Sequence, residues 1–140
     1  MSQEVKIKIR GLHGPGEEPV EVVSVGQMYE KDGYMCIAYD EVVSEEENGL
    51  VQVGKNLLKI RDDQVEVIKK GPSESHMVFV PERTTVTYYS TPVGELEVGI
   101  HTDHIEKNNY ANGFDLRLQY ELEMNQTFIS RCSVTIAVEQ

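Results

Sequence analysis

The chain has 140 residues, of which 24 are acidic and 13 basic, and its formal net charge is −11. A chain of this length is about one domain, and its core needs neither a disulfide nor a metal. The acidity argues against nucleic acid or an anionic membrane as a partner, because binding to a phosphate backbone needs clustered lysine and arginine. We therefore expect residues 1–140 to form a single domain, monomeric or homodimeric, that uses no cofactor.

The cysteines and the amino-terminal sequence predict a cytoplasmic protein. The first ten residues contain no apolar run of the signal-peptide kind. No segment approaches the ~18–20 apolar residues of a membrane-spanning helix. Cys36 and Cys132 lie in separate strand-like segments, and one pair is too few for a secreted disulfide framework. We expect two free thiols that pack as small apolar side chains.

Apolar and polar residues alternate with a period of two through the first half of the chain, which is typical of half-buried strands. The predicted strands are 5–10, 20–30, 34–43, 50–60, 64–70 and 76–80. Asp32-Gly33 between two β-rich segments predicts a hairpin turn. The glycine-rich segment 11–18 and the acidic segment 44–49 predict loops.

The second half of the chain contains the clearest alternation. Strands are predicted at 84–90, 96–100, 113–123 and 128–139. Residues 91–94, with their Thr-Pro-Val-Gly sequence, are interpreted as a kink and not as a reversal of the chain. The polar segment 103–112 is interpreted as a long connection with at most one short helical turn.

Nine or ten antiparallel strands in a chain of this length predict either a sandwich or a barrel. Long, regularly alternating strands favour a closed meander, because closure removes exposed sheet edges. The predicted fold class is all-β, a single antiparallel barrel of about eight to ten strands with little or no helix.

The chain contains six motifs in a characteristic order: Gly26-Gln27-Met28-Tyr29, Tyr39-Asp40-Glu41, Ile68-Lys69-Lys70-Gly71, the segment from Tyr88 through Thr91-Pro92 to Gly94, Gly113, and Tyr120-Glu121-Leu122. Together they resemble the YwiB-like family of uncharacterised bacterial proteins, over essentially the whole chain. Lys69 and Asp40 stand where the family pattern has arginine and glutamate. The resemblance implies a calycin-like, lipocalin-like β-barrel and brings no established activity with it.

The sequence offers no strong catalytic or metal-binding motif. His101-Thr102-Asp103-His104 is the one cluster of metal-ligand type, but on a strand His104 would point away from His101 and Asp103. We therefore interpret these as solvated turn histidines without a metal. There is no nucleophile elbow, no phosphate-binding glycine loop and no marked axial haem ligand. An enzyme is the least favoured class of function.

The tyrosines are the most informative side chains for a binding function. Most of the seven lie within predicted strands, where their rings either line a small-molecule pocket or simply fill the barrel core. If a pocket exists, the ring positions expected nearest to it are Tyr39, Tyr89 and Tyr120.

The middle of the chain, residues 54–83, is close to neutral in an otherwise acidic sequence. Its cations either solvate the outer face of strands or anchor the acidic group of a ligand. The possible anion anchors are Arg61, Lys69 and Arg83.

Two classes of function remain open from the sequence. The first is a barrel that binds a small, partly apolar ligand in its interior. The second is an interaction or structural domain with a side-chain-filled barrel, which acts through its acidic surface or as a dimer. The size and polarity of any cavity would separate them.

Overall fold

The computed structural model describes residues 2–12, 20–45, 49, 51–70, 74–91 and 94–140. They form ten strands, so the all-β prediction is confirmed. The strands are β1 (Gln3–Leu12), β2 (Val20–Lys31), β3 (Tyr34–Glu45), β4 (Val51–Arg61), β5 (Gln64–Lys70), β6 (Ser75–Phe79), β7 (Arg83–Thr91), β8 (Gly94–Tyr110), β9 (Gly113–Met124) and β10 (Thr127–Glu139). The described part of the chain contains no helix that is both long and apolar enough to cross a membrane. The predicted loops at 11–18 and 44–49 fall mostly outside the described residues.

The strands form one antiparallel sheet in which β1 also pairs with β10, so the order is β6-β5-β4-β3-β2-β1-β10-β9-β8-β7. The two edge strands, β6 and β7, are consecutive in the chain, with only residues 80–82 between them. Because neighbouring strands lie about 4.8 Å apart, a flat sheet of this width could not bring its edges together. The sheet therefore curls into a nearly closed barrel, as the sequence predicts.

The seam between β6 and β7 is held by single hydrogen bonds in place of a ladder. The Thr85 hydroxyl donates to the carbonyl of Val78 at 2.5 Å. The amide of Glu82 donates to the carbonyl of Thr102 on β8 at 2.8 Å. These bonds fix the β6–β7 corner against β8 and complete the wall on that side.

The barrel centre is filled with apolar side chains from the inward face of the sheet. On β9 the inward set is the one that alternation predicts, with charged residues facing outward between its members. The largest fully buried side chains are Ile7, Ile37, Leu58, Ile100, Leu116, Leu118 and Ile136. Both cysteines are free and buried. Among the described residues, the inward face of the sheet is thus occupied mainly by apolar side chains.

The β2–β3 hairpin turns as its sequence predicts. Asp32 and Gly33 have φ values of 53° and 82°, and Lys31 pairs with Tyr34 across the turn. Positive φ at both central residues matches the twist of the flanking strands, and Asp-Gly tolerates it best. The turn lies at the end of the barrel where β2 ends and β3 begins.

Two predictions about connections are wrong. Thr91 pairs with Gly94 and β7 runs antiparallel to β8, so the chain reverses where a kink was expected; residues 92–93 themselves lie outside the described part. The polar segment 103–112 is mostly strand, because β8 continues to Tyr110.

The second half of β8, residues 103–110, is polar because much of it is exposed to solvent. We call it the extended half of β8. β7 reaches only as far as Thr102, so the rest of β8 pairs with β9 alone. There the polar side chains bond to one another: Tyr110 donates to the Asp115 carboxylate at 2.6 Å and Asn108 donates to it at 3.2 Å. A polar composition is therefore compatible with strand at this position.

Candidate binding site

An open cleft of about 1080 Å³ lies at one end of the barrel, and we call it the end cleft. The β2–β3 turn at Gly33, the β4–β5 turn at Asp62 and Asp63, and the start of β1 at Gln3 border it. These elements meet because alternating strand directions bring every second turn to the same end. The extended half of β8 adds Lys107. Small-molecule pockets usually measure about 300–1,000 Å³, so the cleft is large enough for one.

The floor of the end cleft is apolar. Met28, Met35 and Ile60 line it from three neighbouring strands, and Met35 pairs directly with Ile60. Ile60 belongs to the buried core, and both methionines pack against that core while remaining partly exposed. Unbranched thioether side chains adapt to ligands of irregular shape. The floor can therefore accept the apolar part of a ligand.

The Tyr34 ring contacts two cations, Arg61 and Lys59. Arg61 lines the cleft, whereas Lys59 pairs with the Glu66 carboxylate at 3.6 Å. The Lys59 ammonium lies 4.4 Å and the Arg61 guanidinium 4.5 Å from the centroid of the Tyr34 ring. Arg61 also donates from Nη1 to the Tyr34 hydroxyl at 3.2 Å. Cation–π contacts of this kind hold a guanidinium in place without neutralising it. Arg61 therefore keeps its charge and most of its N–H donors available at the rim.

Lys107 is a second cation of the cleft, and like Arg61 it contacts an aromatic ring. Its ammonium lies 4.9 Å from the centroid of the Phe114 ring. Among the residues that the structure describes, neither Lys107 nor Arg61 has a carboxylate within 4.0 Å. The cleft lining also contains three acids, Glu30, Asp62 and Asp63. The rim is thus mixed in charge.

The tyrosines singled out from the sequence occupy other parts of the barrel. Tyr39 and Tyr120 both point inward and are 4% exposed, and neither lines the end cleft. Tyr89 lies on β7 opposite Leu96, and its side chain falls outside the described part. That these rings contact a ligand stays a prediction.

Tyr39 lies in a buried polar region beside its cross-strand partner Asn56. Burial raises the pKa of the Tyr39 phenol to about 12; the Asn56 amide opposes this rise and the Glu41 charge adds to it. The Asn56 Nδ2 itself is buried and makes no hydrogen bond of good geometry with the residues that the structure describes. Both residues border a smaller wall pocket of about 380 Å³, where the β2–β3 ladder ends at Gly26.

The three predicted anion anchors do not come together. Arg61 is at the rim of the end cleft. Lys69 lies near the opposite end of β5, where its ammonium is 3.6 Å from the Glu41 carboxylate. Arg83 is exposed at the start of β7. An anchoring role for any of them stays a prediction, and only Arg61 borders the large cleft.

The histidine cluster lies within β8 and not in a turn, which corrects the interpretation from the sequence. His101 Nδ1 is 2.9 Å from the Thr84 hydroxyl on β7, and its Nε2 is 3.7 Å from the Asp103 carboxylate. A register shift between Thr102 and His104 gives Asp103 its position. Within the described residues no three histidine, cysteine, aspartate or glutamate side chains are close enough to hold a metal ion.

Sequence reasoning missed most of the end cleft. Lys107 fell in the segment interpreted as a connection, and Met28 and Met35 were indistinguishable from ordinary core positions. The two tight turns, β2–β3 and β4–β5, were the signal that could have located the cleft. Residues next to these turns, such as Tyr34 and Arg61, lie at the same end of a meander barrel.

Comparison with known proteins supports the barrel. The family profile of a domain of unknown function, DUF1934, matches residues 5–136. The crystal structure of the ywiB protein from Bacillus subtilis superposes with a TM-score of 0.73 at 21% identity, covering 99% of this chain and 92% of that one. At this identity the likeness shows the fold. The resemblance to the YwiB-like family is confirmed, and no curated protein matches the chain.

Proposed function

We propose that this chain, which belongs to the DUF1934 family of unknown function, is a binding protein that holds a small, partly apolar molecule with one acidic group in the end cleft. Lipocalin-like barrels hold single small ligands in a comparable way. In this protein the proposed ligand lies at the end of the barrel and not in its interior, because apolar side chains pack in the interior. The two free, buried cysteines suit a reducing compartment, and we propose that the protein acts in the cytoplasm.

The observation that carries the proposal is that two cations, Arg61 and Lys107, line the same cleft as three apolar side chains. Arg61 and Lys107 rest on aromatic rings, whereas other cations, such as Lys55 and Lys69, pair with carboxylates. A cation without a carboxylate partner beside partly exposed methionines suits a ligand that has both an apolar body and an acidic group.

The acids of the rim limit the charge of the ligand. Glu30, Asp62 and Asp63 line the same cleft as the two cations, so the lining as a whole is not positive. A multiply charged anion such as a polyphosphate would meet at least as much repulsion as attraction. One carboxylate or sulfonate, placed against Arg61 or Lys107, suits this arrangement best.

Two fluorescent probes test the proposal, since they share an apolar body and differ in charge. 8-Anilinonaphthalene-1-sulfonate carries one sulfonate, and N-phenyl-1-naphthylamine carries none. The double variant Arg61→Gln, Lys107→Gln should lower the affinity for the sulfonate probe about tenfold, as expected for loss of charged hydrogen-bond donors. Binding of the neutral probe should change less than about twofold. The matched control, Lys6→Gln with Lys70→Gln, removes two exposed cations elsewhere and should leave both affinities unchanged.

Equal losses in both double variants would show that only net charge matters and would contradict the proposal. Equal losses for both probes in the cleft variant would remove the anchoring role of the cations. Native mass spectrometry of protein purified from its own host gives a further measurement. We expect a small molecule that stays bound to the unmodified protein and to the control. The Arg61→Gln, Lys107→Gln variant should lose it.

A further inference from the structure

We propose that the outer face of β7–β10 is a docking surface for a partner protein segment in which lysine or arginine side chains alternate with apolar ones. This surface is separate from the end cleft, so the proposal is independent of the proposed function. We call it the outer patch, and it consists of Val86, Tyr88, Glu97, Gly99, Glu123, Phe128 and Ile129.

The apolar members of the outer patch are unusually exposed for large side chains. Tyr88 is 61% and Phe128 57% exposed, and Val86 and Ile129 are about half exposed. Cross-strand pairs connect two of them: Val86 pairs with Gly99, Gly99 with Glu123, and Glu123 with Phe128. These four residues form one row across four strands, about 14 Å long at the usual strand spacing, with Val86 and Phe128 at its two ends. Exposed apolar side chains grouped on one face typically mark an interaction site.

One carboxylate, that of Glu123, belongs to the row, and a second, that of Glu97, lies beside it. Glu97 is the cross-strand partner of Tyr88. Glu123 lies over Gly99, because a Cβ at Gly99 would be 3.3 Å from its Oε2. Both glutamates are partly buried, and in the described part of the chain neither is within ion-pair distance of a cation. The nearby Arg131 pairs instead with Glu121, at 3.2 Å.

This arrangement selects the chemistry of the occupant. A carboxylate without a cation beside it can accept charge-assisted hydrogen bonds from an ammonium or guanidinium of a partner. The aromatic rings of Tyr88 and Phe128 add apolar contact and attraction for a cation. A partner segment that alternates basic and apolar side chains therefore matches the row in both charge and hydrophobicity.

The same charges disfavour the other possible occupants. In a twofold dimer the patch would face itself and bring both copies of Glu97 and Glu123 into one interface, to which the patch itself adds no cation. Nucleic acid and anionic membranes would be repelled by the same carboxylates and by the net charge of −11. The observations thus favour a basic protein segment.

The test uses a short synthetic peptide in which lysine alternates with valine and phenylalanine, titrated into isotope-labelled full-length protein and followed by NMR. Amide shifts should concentrate on β7, β8 and the start of β10. Glu97→Gln with Glu123→Gln should weaken binding about tenfold. Tyr88→Ser with Phe128→Ser should weaken it at least as much, because exposed aromatic anchors often dominate such contacts. Since all four residues are at the surface, the variants should fold, and their thermal midpoints confirm this.

The matched control is Glu4→Gln with Glu139→Gln, which removes two exposed acids elsewhere. It should change the affinity less than twofold. Equal weakening by both glutamate variants, or shifts spread over the whole barrel, would overturn the proposal. So would absence of binding, or a dimer in sedimentation that Tyr88→Ser dissociates, because the occupant would then be a second copy.

Discussion

The ring of Phe79 packs edge-to-face against the ring of Tyr120, with centroids 5.0 Å apart and planes at 65°. Phe79 is on β6, an edge strand, and Tyr120 is on β9, which is not its neighbour in the sheet. The contact therefore spans the barrel interior beside the seam, where no ladder joins β6 to β7. Aromatic packing thus supplies cohesion at the place where backbone hydrogen bonding is weakest.

Replacing Phe79 by alanine should lower the free energy of unfolding by about 3–5 kcal/mol, the usual cost of emptying a buried aromatic site. Urea denaturation measures this as a lower midpoint. Phe128→Ala is the control, because that ring is 57% exposed, and it should change stability by less than about 0.5 kcal/mol. Similar effects of the two variants would mean that the seam does not depend on this contact.

Gly113 should tolerate no side chain. A Cβ there would overlap the backbone carbonyl of Val138 on the paired strand β10, which cannot move aside without breaking the ladder. We expect Gly113→Ala to destabilise the fold by about 2 kcal/mol or more. At Gly99 the nearest atom belongs to the flexible Glu123 side chain, so Gly99→Ala should cost much less. Thermal unfolding of the two variants compares them directly, and equal midpoints would contradict the prediction.

Stability should fall at high pH because of Tyr39. Its folded-state pKa of about 12 exceeds the usual tyrosine value of 10.0, so above pH 10 the unfolded chain loses this proton more readily than the folded one. The contribution is fully present below pH 10 and is lost as the pH rises to about 12, by up to about 3 kcal/mol. Urea unfolding at pH 9 and pH 11 measures the loss, which Tyr39→Phe should reduce.

Tyr88→Phe is the control for this pH effect, because Tyr88 is exposed. It should retain the full loss of stability between the two pH values. If Tyr39→Phe loses as much stability as the unmodified protein, Tyr39 ionises freely in the folded state and its buried environment is not as described.

The fold was largely predictable because alternation reports strand phase directly. Leu116, Leu118 and Tyr120 are inward on β9, as their charged neighbours require. The extent of β8 was not predictable from the same signal, because Asn108 and Tyr110 lie where β8 is an edge of the sheet and pairs with β9 alone. There, polar side chains form cross-strand bonds to Asp115, and composition alone resembles that of a loop.

The site was less predictable, since it depends on which residues share an end of the barrel. Arg61 and Lys69 are close in sequence yet lie toward opposite ends of adjacent strands. Arg61 and Lys107 are far apart in sequence yet line one cleft. Such relationships follow from strand register and strand length. The predicted strand 96–100 ended ten residues before β8 does, and this error hid Lys107.

The most direct test of the end cleft uses its methionines. The chain has five methionines, and Met28 and Met35 line the cleft, whereas Met77 and Met124 lie on β6 and β9 outside its lining. In protein labelled with ¹³C at the methionine methyl groups, 8-anilinonaphthalene-1-sulfonate should shift the Met28 and Met35 signals and leave those of Met77 and Met124 in place. Shifts at Met77 or Met124 with none at Met28 and Met35 would contradict the account, because the probe would then bind elsewhere.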